Sequence, residues 1–312
     1  MKVTNDQFLA LLNRIEKRFK YLNKWAAKNN IEYFRIFDRD LPDAPVMIDV
    51  LPDHWLVWLC DHHFDNTMET SLLDTIKSKL IQLKKSEVVI KNRKKNNIIK
   101  QTFFEQGKSI IVKEGGLNFK LNLTRYLDTG LFIDHRRTRE YVLKHAKGKR
   151  VLNLFAYTGS FSCYALQGGA NFVTSVDLNP TYSEWHEENC KLNGFSKKRY
   201  SILTADVIPF LKSNKSKYDV IICDPPTFSQ SKRKQVKTFH IQDDAQTLLE
   251  LCNINLKNGG EIIFSTNFKK FDFEELQNTN AWTMKEYTKM FCSKDFEGKW
   301  MSRCFLVKPQ FP

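Results

Sequence analysis

The first residues of the chain space their apolar positions with the period of an α-helix. Apolar side chains recur at intervals of three and four residues: Phe8, Leu11, Leu12, Ile15, Phe19, Leu22, Trp25 and Ala26. This spacing predicts an amphipathic helix over residues 1–30 that buries one face. The opposite face carries basic residues: Arg14, Lys17, Arg18, Lys20, Lys24 and Lys28. Such a face is either a solvated surface or a surface that contacts phosphates, and the pattern alone favours neither.

Residues 31–124 change to short apolar runs that are typical of β-strands. The runs are EYFRIF, PVMIDVL, HWLVWLC, SEVVIK, SIIVKEGG and LNFKLNL. Turn-rich segments separate them, and one helical stretch lies near residues 72–83. The pattern therefore predicts a small α+β domain after the N-terminal helix, and we assign it an RNA-binding role because it is basic.

Residues 125–312 alternate buried strands with helix-like stretches. The strands are VLNLF, FVTSVD, YSILTAD, YDVIICD and EIIFST. This alternation predicts βαβ units and a mostly parallel sheet in an α/β domain. Ligands of such sheets bind at the carboxyl ends of the strands, so the residues that follow each strand are the candidates for chemistry.

The charge of the chain points to a polyanionic partner. The 312 residues include 49 Lys and Arg against 35 Asp and Glu, which gives a net charge of +14. Nucleic acid is the first candidate and an anionic membrane surface the second. No window approaches the length of uncharged apolar sequence that spans a membrane, and no lipidation signal is present. The charged N-terminal residues do not form a secretory signal, so we expect a cytoplasmic protein.

The densest basic run, Lys84–Lys100, lies between two predicted strands. A solvated hairpin would explain its charge, but the interleaved Val and Ile favour an ordered element that faces an anion. We therefore predict RNA contacts in this run, at Lys91, Arg93, Lys94 and Lys95.

The seven cysteines are scattered without paired spacing, which is typical of free, mostly buried thiols. Only the stretch from Cys60 to His63 combines residue types that bind zinc, and no second pair of ligands has zinc spacing. We therefore predict no metal site.

Three predicted strands end in an aspartate, and a fourth runs into a loop with a single glycine. The aspartates are Asp177, Asp206 and Asp224, and Gly159 lies in the loop AYTGS. An acidic residue after the second strand is placed to accept hydrogen bonds from ribose hydroxyls. Asp177 or Asp206 alone could merely cap the next helix, but helix capping explains the set of aspartates poorly.

The same loop distinguishes two nucleotide-like ligands. A dinucleotide needs several glycines near its pyrophosphate, whereas this loop has Phe155, Tyr157 and Thr158 at those places. S-adenosylmethionine has no phosphate, and it requires ribose and adenine acceptors, apolar walls and a backbone turn. We therefore predict S-adenosylmethionine as the cofactor. The predicted contacts are Phe155, Ala156, Tyr157, Thr158, Gly159, Ser160, Asp177, Leu178, Asn179, Asp206, Val207 and Asp224.

The segment DPPTF after the fourth strand is the most specific signal. Two prolines stiffen the backbone and remove N–H donors, which leaves carbonyls and the Asp224 carboxylate to meet the amino and imino hydrogens of a base. Phe228 offers a stacking face for a base swung out of the RNA. A rigid turn is the alternative. We predict Asp224, Pro225, Pro226 and Phe228 as the catalytic group, with RNA contacts nearby at Lys232, Arg233 and Lys234.

These motifs resemble the bacterial 23S rRNA methyltransferases of the K/L family, and in particular their K half. The similar segments are TGLFIDHRRTR, NLFAYTGSFS, SVDLN, YSEWHEENCKLNG, CDPPTFSQSK and FSTNFKKF. Together with RFKYLNKWAAKNNIEYFRIFDRDLPDAPVMIDV they extend the resemblance over nearly the whole chain. It implies a class I methyltransferase domain with a mostly parallel, seven-stranded Rossmann-like sheet. It also implies methylation of guanine N7 in 23S rRNA or in a precursor large-subunit particle.

The resemblance assigns roles to the segment DHRRTR as well. Asp134, His135 and Arg136 would close over the methionine end of the cofactor, with Arg136 pairing its carboxylate. Asp224 and Phe228 would orient the base. A basic helix start at the surface is the alternative for this segment. In many bacteria an L half precedes the K half, and none precedes Met1 here, so a different target nucleotide stays open.

The target atom follows partly from the residues. Methylation at cytosine C5 needs a cysteine nucleophile, and neither the segment after Asp224 nor the end of the fifth strand contains one. We interpret Cys223 as a buried packing residue. Guanine N7 has a free lone pair and needs no general base, whereas an exocyclic amine must lose a proton, for which Asp224 is an acceptor. Two other classes remain as alternatives: a non-catalytic RNA-binding protein and a nucleotide-dependent oxidoreductase.

Overall fold

The computed structural model describes residues 5–42, 44–60, 66–92, 107–229, 239–277, 281–299 and 301–310. The chain divides into two compact units. Unit 1 comprises Met1–Ile133 and Lys294–Lys299, and unit 2 comprises Asp134–Ser293 and Trp300–Pro312. No helix in these described ranges has both the length and the apolar character needed to cross a membrane.

Unit 1 is built around a four-stranded sheet with the order β1-β2-β3-β4. Its helices and strands are α1 (Asn5–Lys28), β1 (Phe34–Asp38), β2 (Val46–Val50), β3 (His54–Leu59), α2 (Asn66–Leu83) and β4 (Glu87–Asn92). The first three strands are antiparallel neighbours, and α2 connects β3 to the parallel strand β4. A crossover helix is needed here because parallel neighbours cannot be joined by a tight turn.

A separate hairpin completes unit 1, formed by β5 (Ser109–Glu114) and β6 (Leu117–Asn122). Gly115 and Gly116 form its turn with φ values of 60° and 79°. Two positive φ values in a two-residue turn require glycine-like residues and match the twist of the strands.

The predicted apolar face of α1 packs into the core of unit 1. Leu11, Ile15, Phe19 and Leu22 are buried there together with residues of β1, β2 and β3. Burial of each such side chain contributes roughly 1.5–3 kcal/mol, so the apolar spacing is sufficient to fix which side of α1 faces outward.

Unit 2 contains a seven-stranded sheet with helices between most of its strands. Its helices are α3 (Arg136–His145), α4 (Ser160–Gln167), α5 (Pro180–Leu192), α6 (Val207–Ser213), α7 (Ile241–Ile254) and α8 (Glu274–Gln277). The strands of this sheet are β7 (Arg150–Leu154), β8 (Phe172–Asp177), β9 (Tyr200–Thr204), β10 (Tyr218–Cys223), β13 (Leu256–Thr266), β14 (Trp282–Glu286) and β15 (Arg303–Pro309). Two short strands outside it, β11 (Phe228–Ser229) and β12 (Phe239–His240), pair with each other. The predicted Rossmann-like α/β fold is confirmed.

The strand order of this sheet is β14-β15-β13-β10-β7-β8-β9. The five strands from β13 to β9 are parallel, while β15 is antiparallel to both of its neighbours. The chain first proceeds from β7 outward to β8 and β9, and then returns to place β10 on the other side of β7. This reversal opens a crevice at the carboxyl end of β7, where ligands of open α/β sheets bind.

Candidate active site

The predicted site residues come together at one edge of the unit 2 sheet. The strands β10, β7, β8 and β9 are consecutive parallel neighbours, so their carboxyl ends lie at the same edge. Asp224 follows β10, the loop from Phe155 follows β7, Asp177 ends β8, and Asp206 follows β9. Because these strands pair in parallel, the four sequence motifs lie together, with three carboxylates in a row beside one loop.

The loop after β7 has an unusual backbone. Phe155 and Tyr157 have φ values of 55° and 50°, and Gly159 has φ 78°. Left-handed conformations in bulky residues cost on the order of 1–3 kcal/mol and persist where surrounding contacts enforce them. Here the Ala156 N–H donates to the Val176 carbonyl at 3.1 Å. The sequence indicated the turn at Gly159 but not the two bulky residues in left-handed conformation.

Gly159 is required for a second reason, which is close packing against α5. A Cβ atom at this position would lie 1.9 Å from Cδ2 of His186. The imidazole of His186 is buried against the glycine backbone. Any larger residue would have to displace this ring and the loop together, so His186 is a part of the site that sequence reasoning missed.

Asp177 fixes the loop through backbone hydrogen bonds. Its Oδ2 accepts from the Tyr157 N–H and its Oδ1 from the Asn179 N–H, both at 2.8 Å. Burial raises the pKa of this carboxyl, and the two N–H donors and His186 oppose that effect. Asp177 does not cap α5, because the side chain of Asn179 does so by accepting from the Thr181 N–H. The helix-cap interpretation is therefore wrong for Asp177.

Asp206 does cap its helix. Its Oδ1 accepts from the Ile208 N–H at 3.0 Å, at the start of α6. Its Oδ2 accepts no hydrogen bond from any part of the chain that the structure describes. Val207 beside it is buried, and Leu178 is half-buried. Asp206 thus combines a structural role with a free acceptor atom at the sheet edge.

Asp224 is held by side chains from two other segments. The Ser265 hydroxyl, near the end of β13, donates to Asp224 Oδ1 at 2.5 Å. Nε2 of His135, at the start of α3, lies 3.4 Å from Asp224 Oδ2. Burial disfavours the imidazolium of His135, but the carboxylates of Asp224 and Asp134 outweigh it and raise its pKa to about 10. His135 is therefore a cation at neutral pH, paired with Asp224.

The other residues of the DHRRTR segment have partners of their own. Asp134 Oδ2 accepts from the Ser302 N–H at 3.1 Å and from the Ser302 hydroxyl at 2.9 Å. Arg136 is buried, and its Nη1 donates to the Ser293 hydroxyl at 3.2 Å. Asp134 and Arg136 are thus folded into unit 2 with hydrogen-bond partners, whereas Arg137 of the same segment is exposed.

The ring of Phe228 projects from the strand end beyond Asp224. It is 54% exposed although Pro225, three residues earlier in the motif, is buried. Pairing of β11 with β12 and a hydrogen bond from the Ile241 N–H to the Thr227 carbonyl hold this segment. The Thr227 hydroxyl donates to Asn267 Oδ1. A rigid segment with an exposed aromatic ring is suited to stacking against a planar ligand.

The basic residues predicted to contact RNA have different outcomes. Lys232, Arg233 and Lys234 lie outside the described residues, as do Arg93, Lys94 and Lys95. Lys91 is 8% exposed. Its ammonium lies 4.8 Å from the centre of the Trp58 ring and donates to the Tyr126 carbonyl. This burial argues against the predicted RNA contact of Lys91.

Thiol and metal chemistry find no support in the described part of the chain. Cys223 is fully buried in β10, and the four residues directly after β13, residues 267–270, include no cysteine. Burial raises the pKa of the Cys223 thiol well above its usual value. No group of three or more His, Cys, Asp or Glu in the described segments could hold a metal ion. The residues that follow Cys60 in the candidate zinc stretch lie outside those segments.

Comparison with known proteins finds matches to methyltransferases. Residues 84–282 match the sequence profile of the S-adenosylmethionine-dependent methyltransferase family. The chain is 38% identical over 291 residues to a ribosomal RNA large subunit methyltransferase K/L of Pseudomonas savastanoi, covering 91% of the chain and 38% of that protein. It is 39% identical over 297 residues to the protein of the same name in a Shewanella species, covering 92% and 42% respectively. The chain therefore spans about two fifths of the length of these curated relatives.

Solved structures share the fold. The crystal structure of SMU.776, a methyltransferase by its description and complexed with SAH, aligns with a TM-score of 0.78 at 24% identity. The alignment covers 99% of this chain and 83% of that one. Trm5b from Pyrococcus abyssi aligns with a TM-score of 0.56 at 18% identity, over 86% and 76% of the two chains. At these identities the likeness extends to the fold alone.

Proposed function

The chain belongs to the S-adenosylmethionine-dependent methyltransferase family, and on this basis we propose that it methylates guanine N7 in bacterial 23S rRNA. The row of Asp177, Asp206 and Asp224 along one sheet edge carries the proposal. The names of its curated relatives support large-subunit rRNA as the substrate, and the net charge of +14 supports a polyanion.

The residues at the sheet edge fit S-adenosylmethionine. Each oxygen of Asp177 accepts one backbone N–H, so each has a further lone pair for a ribose hydroxyl. Oδ2 of Asp206 is an acceptor for the adenine amino group, between the apolar side chains of Leu178 and Val207. The loop has no cluster of glycines, and its Tyr157 N–H donates to Asp177 while its Ala156 and Gly159 N–H groups donate to backbone carbonyls. When bound, the cofactor supplies an electrophilic methyl group on a sulfonium centre.

Asp224 and Phe228 form the proposed pocket for the base. A carboxylate accepts hydrogen bonds from guanine N1–H and N2–H, and it cannot donate to the O6 carbonyl of the base. Stacking on an aromatic ring stabilises a flipped base by roughly 1–3 kcal/mol, which offsets part of the cost of unstacking. In this proposal Ser265 and His135 position Asp224, because both of its oxygens are anchored by them.

The protonation state of His135 excludes it as a proton acceptor, which leaves Asp224 in that role for an exocyclic amine. Transfer to N7 uses a lone pair that is already free, so orientation alone can supply about 7–11 kcal/mol of the barrier reduction. Transfer to N2 also requires a proton acceptor. His135 has a pKa of about 10 and is already protonated at neutral pH, so it cannot act as a general base. Asp224 is still an acceptor for a proton of N2, so the preference for N7 in this proposal rests on the resemblance to the K half of the K/L family.

Mass spectrometric mapping tests the proposal. We expect unmodified 23S rRNA, incubated with the protein and S-adenosylmethionine, to gain one methyl group on guanine N7. The same reaction with a precursor large-subunit particle identifies the better substrate. N2-methylguanine or 5-methylcytosine as the product would overturn the assignment of the target atom. Calorimetric titration with S-adenosylmethionine that shows no heat and no thermal shift would instead favour a non-catalytic RNA-binding protein that keeps the fold.

A further inference from the structure

We propose that the exposed side of α1 is an RNA-docking surface that binds unpaired rRNA through phosphate contacts and one stacked base. This surface, called the α1 stripe below, consists of Lys17, Tyr21, Lys24 and Lys28. The inference rests on the proposed rRNA substrate and assigns part of its binding to unit 1.

The spacing of these residues places them on one side of the helix. Positions separated by four, three and four residues lie one above another along an α-helix. All four side chains are exposed, and the Tyr21 ring is 48% exposed. The opposite side of α1 is buried in the core of unit 1. The stripe therefore faces outward, because rotating α1 about its axis would expose that apolar side to water.

The charges of the stripe are uncompensated, in contrast to those of its neighbours on α1. Arg14 donates to Asp40, and Lys20 donates to Glu16. The ammonium groups of Lys17, Lys24 and Lys28 have no ion-pair partner among the residues that the structure describes. Three unpaired ammonium groups along one helix side are a source of attraction for a row of phosphates.

Tyr21 gives the stripe a second feature that points to nucleic acid. The ammonium of Lys294, a residue that belongs to unit 1, lies 4.4 Å from the centre of the Tyr21 ring. An exposed aromatic ring among cations is suited to stacking against an unpaired base beside its phosphate. The ammonium group of Lys294 thus lies beside the three ammonium groups of the α1 stripe.

The architecture of α1 favours RNA over a membrane surface. A helix that lies in a membrane interface inserts its apolar side into the lipid. In unit 1 that side is occupied by the protein core, including Ile15 and Leu22, which are fully buried. Only the polar side is available, and it offers phosphate contacts and a stacking ring.

Neutralising the stripe tests the proposal. The triple variant Lys17→Gln, Lys24→Gln, Lys28→Gln should reduce the slope of log affinity against log salt by about 2 for an unmodified 23S rRNA transcript, since each phosphate contact with single-stranded RNA contributes about 0.7. The KM for rRNA should rise while kcat at saturating rRNA stays unchanged. Tyr21→Ala should weaken binding by about fivefold or more, and Tyr21→Phe should restore it because the ring is retained.

A second triple variant serves as the matched control. Lys144→Gln, Lys147→Gln, Lys212→Gln removes the same charge from exposed lysines of unit 2. These lysines precede β7 and β10 and lie at the sheet edge opposite the strand carboxyl ends. This variant should keep the wild-type salt slope. Calorimetric titration with S-adenosylmethionine should give the same affinity for both triple variants, which shows that unit 2 is folded in each, and unchanged far-UV circular dichroism should show the same for unit 1.

The outcomes separate this inference from the proposed function. Equal losses of rRNA affinity in both triple variants would mean a general charge effect and would overturn the docking surface. Loss of binding to phosphatidylglycerol vesicles with unchanged rRNA binding would overturn it in favour of a membrane contact. If wild-type protein methylates rRNA and the stripe variant does so with the same KM, the docking surface is wrong while the proposed function stands. Failure of the wild-type protein to methylate rRNA would overturn the proposed function itself.

Discussion

Two aspartates at the same sheet edge are held in different ways. Asp177 accepts hydrogen bonds from two backbone N–H groups, those of Tyr157 and Asn179. Asp224 instead accepts a hydrogen bond from the Ser265 side chain and forms an ion pair with the side chain of His135. The cofactor side of the edge is thus built from one loop and the strand beside it. The base side is built where three distant segments meet. The sheet edge therefore has two halves. The local half, around Asp177, is held by neighbouring backbone groups, and the assembled half, around Asp224, is held by side chains from distant segments.

The electrostatics of the two halves differ as well. Burial raises the pKa of Asp177, so its anion depends on the backbone donors that the strained loop provides. Asp224 faces a protonated imidazole, and its charge is compensated by a side chain. Substitutions should therefore act through loop conformation on the cofactor side and through charge balance on the base side.

The largest expected effect comes from removing Asp177. In Asp177→Ala the ribose acceptor is lost, and the Tyr157 N–H loses the partner that supports its left-handed conformation. We expect the affinity for S-adenosylmethionine, measured by calorimetric titration, to fall by about 10³-fold, since two charge-assisted hydrogen bonds and the loop geometry disappear together. Asp206→Ala serves as the comparison and should lose less affinity.

A cofactor affinity within threefold of wild type in Asp177→Ala would contradict the comparison, because it would mean that the loop keeps its shape without the carboxylate. Asp177→Asn sharpens the result. It retains one acceptor oxygen and should fall between the wild type and the alanine variant.

A smaller and qualitatively different effect is expected for Asp224. Asp224→Ala should leave the cofactor affinity nearly unchanged and lower kcat for rRNA methylation by about 10²-fold, because the base loses its orienting acceptor. Ser265→Ala should lower kcat by about tenfold, as expected for loss of one hydrogen bond to a charged group. Single-turnover methyl transfer and calorimetric titration of the same preparations measure the two quantities.

If Asp224→Ala methylated rRNA at the wild-type rate, the pocket would be assigned to the wrong strand end. If it lost cofactor affinity to the same degree as Asp177→Ala, the division of the edge into two halves would be wrong.

The local half of the site could be predicted from the sequence, and the assembled half could not. Asp177, Gly159 and Asp206 each occupy a fixed place after a strand, and parallel pairing brings strand ends together without further information. The left-handed conformations of Phe155 and Tyr157 were not predictable, because bulky residues adopt them only where tertiary contacts enforce them.

The partners of Asp224 illustrate the limit. The polar residues Ser265 and Asn267 at the end of β13 were visible in the sequence. Their partners, Asp224 and Thr227, lie about 40 residues away in the chain, so the pairing was not visible. The prediction for Lys91 failed for a related reason. Its charge suggested a surface position, whereas its long aliphatic stem allows burial while the ammonium reaches a carbonyl and an aromatic ring.

The smallest expected effect is a pH dependence of stability that belongs to the assembled half alone. The pKa of His135 is raised from 6.5 in an unstructured chain to about 10 in the folded protein, facing Asp224, Asp134 and Cys304. Its protonation therefore stabilises the fold fully below about pH 6.5, by an amount that shrinks as the pH rises and vanishes above about pH 10. Between pH 7.5 and 9 the wild type should lose about 2 kcal/mol more of its free energy of unfolding than His135→Gln. Denaturant titrations of both proteins at each pH measure this difference. Parallel stability curves for the two proteins would show that His135 is neutral, and the assembled half would then be held by hydrogen bonds alone.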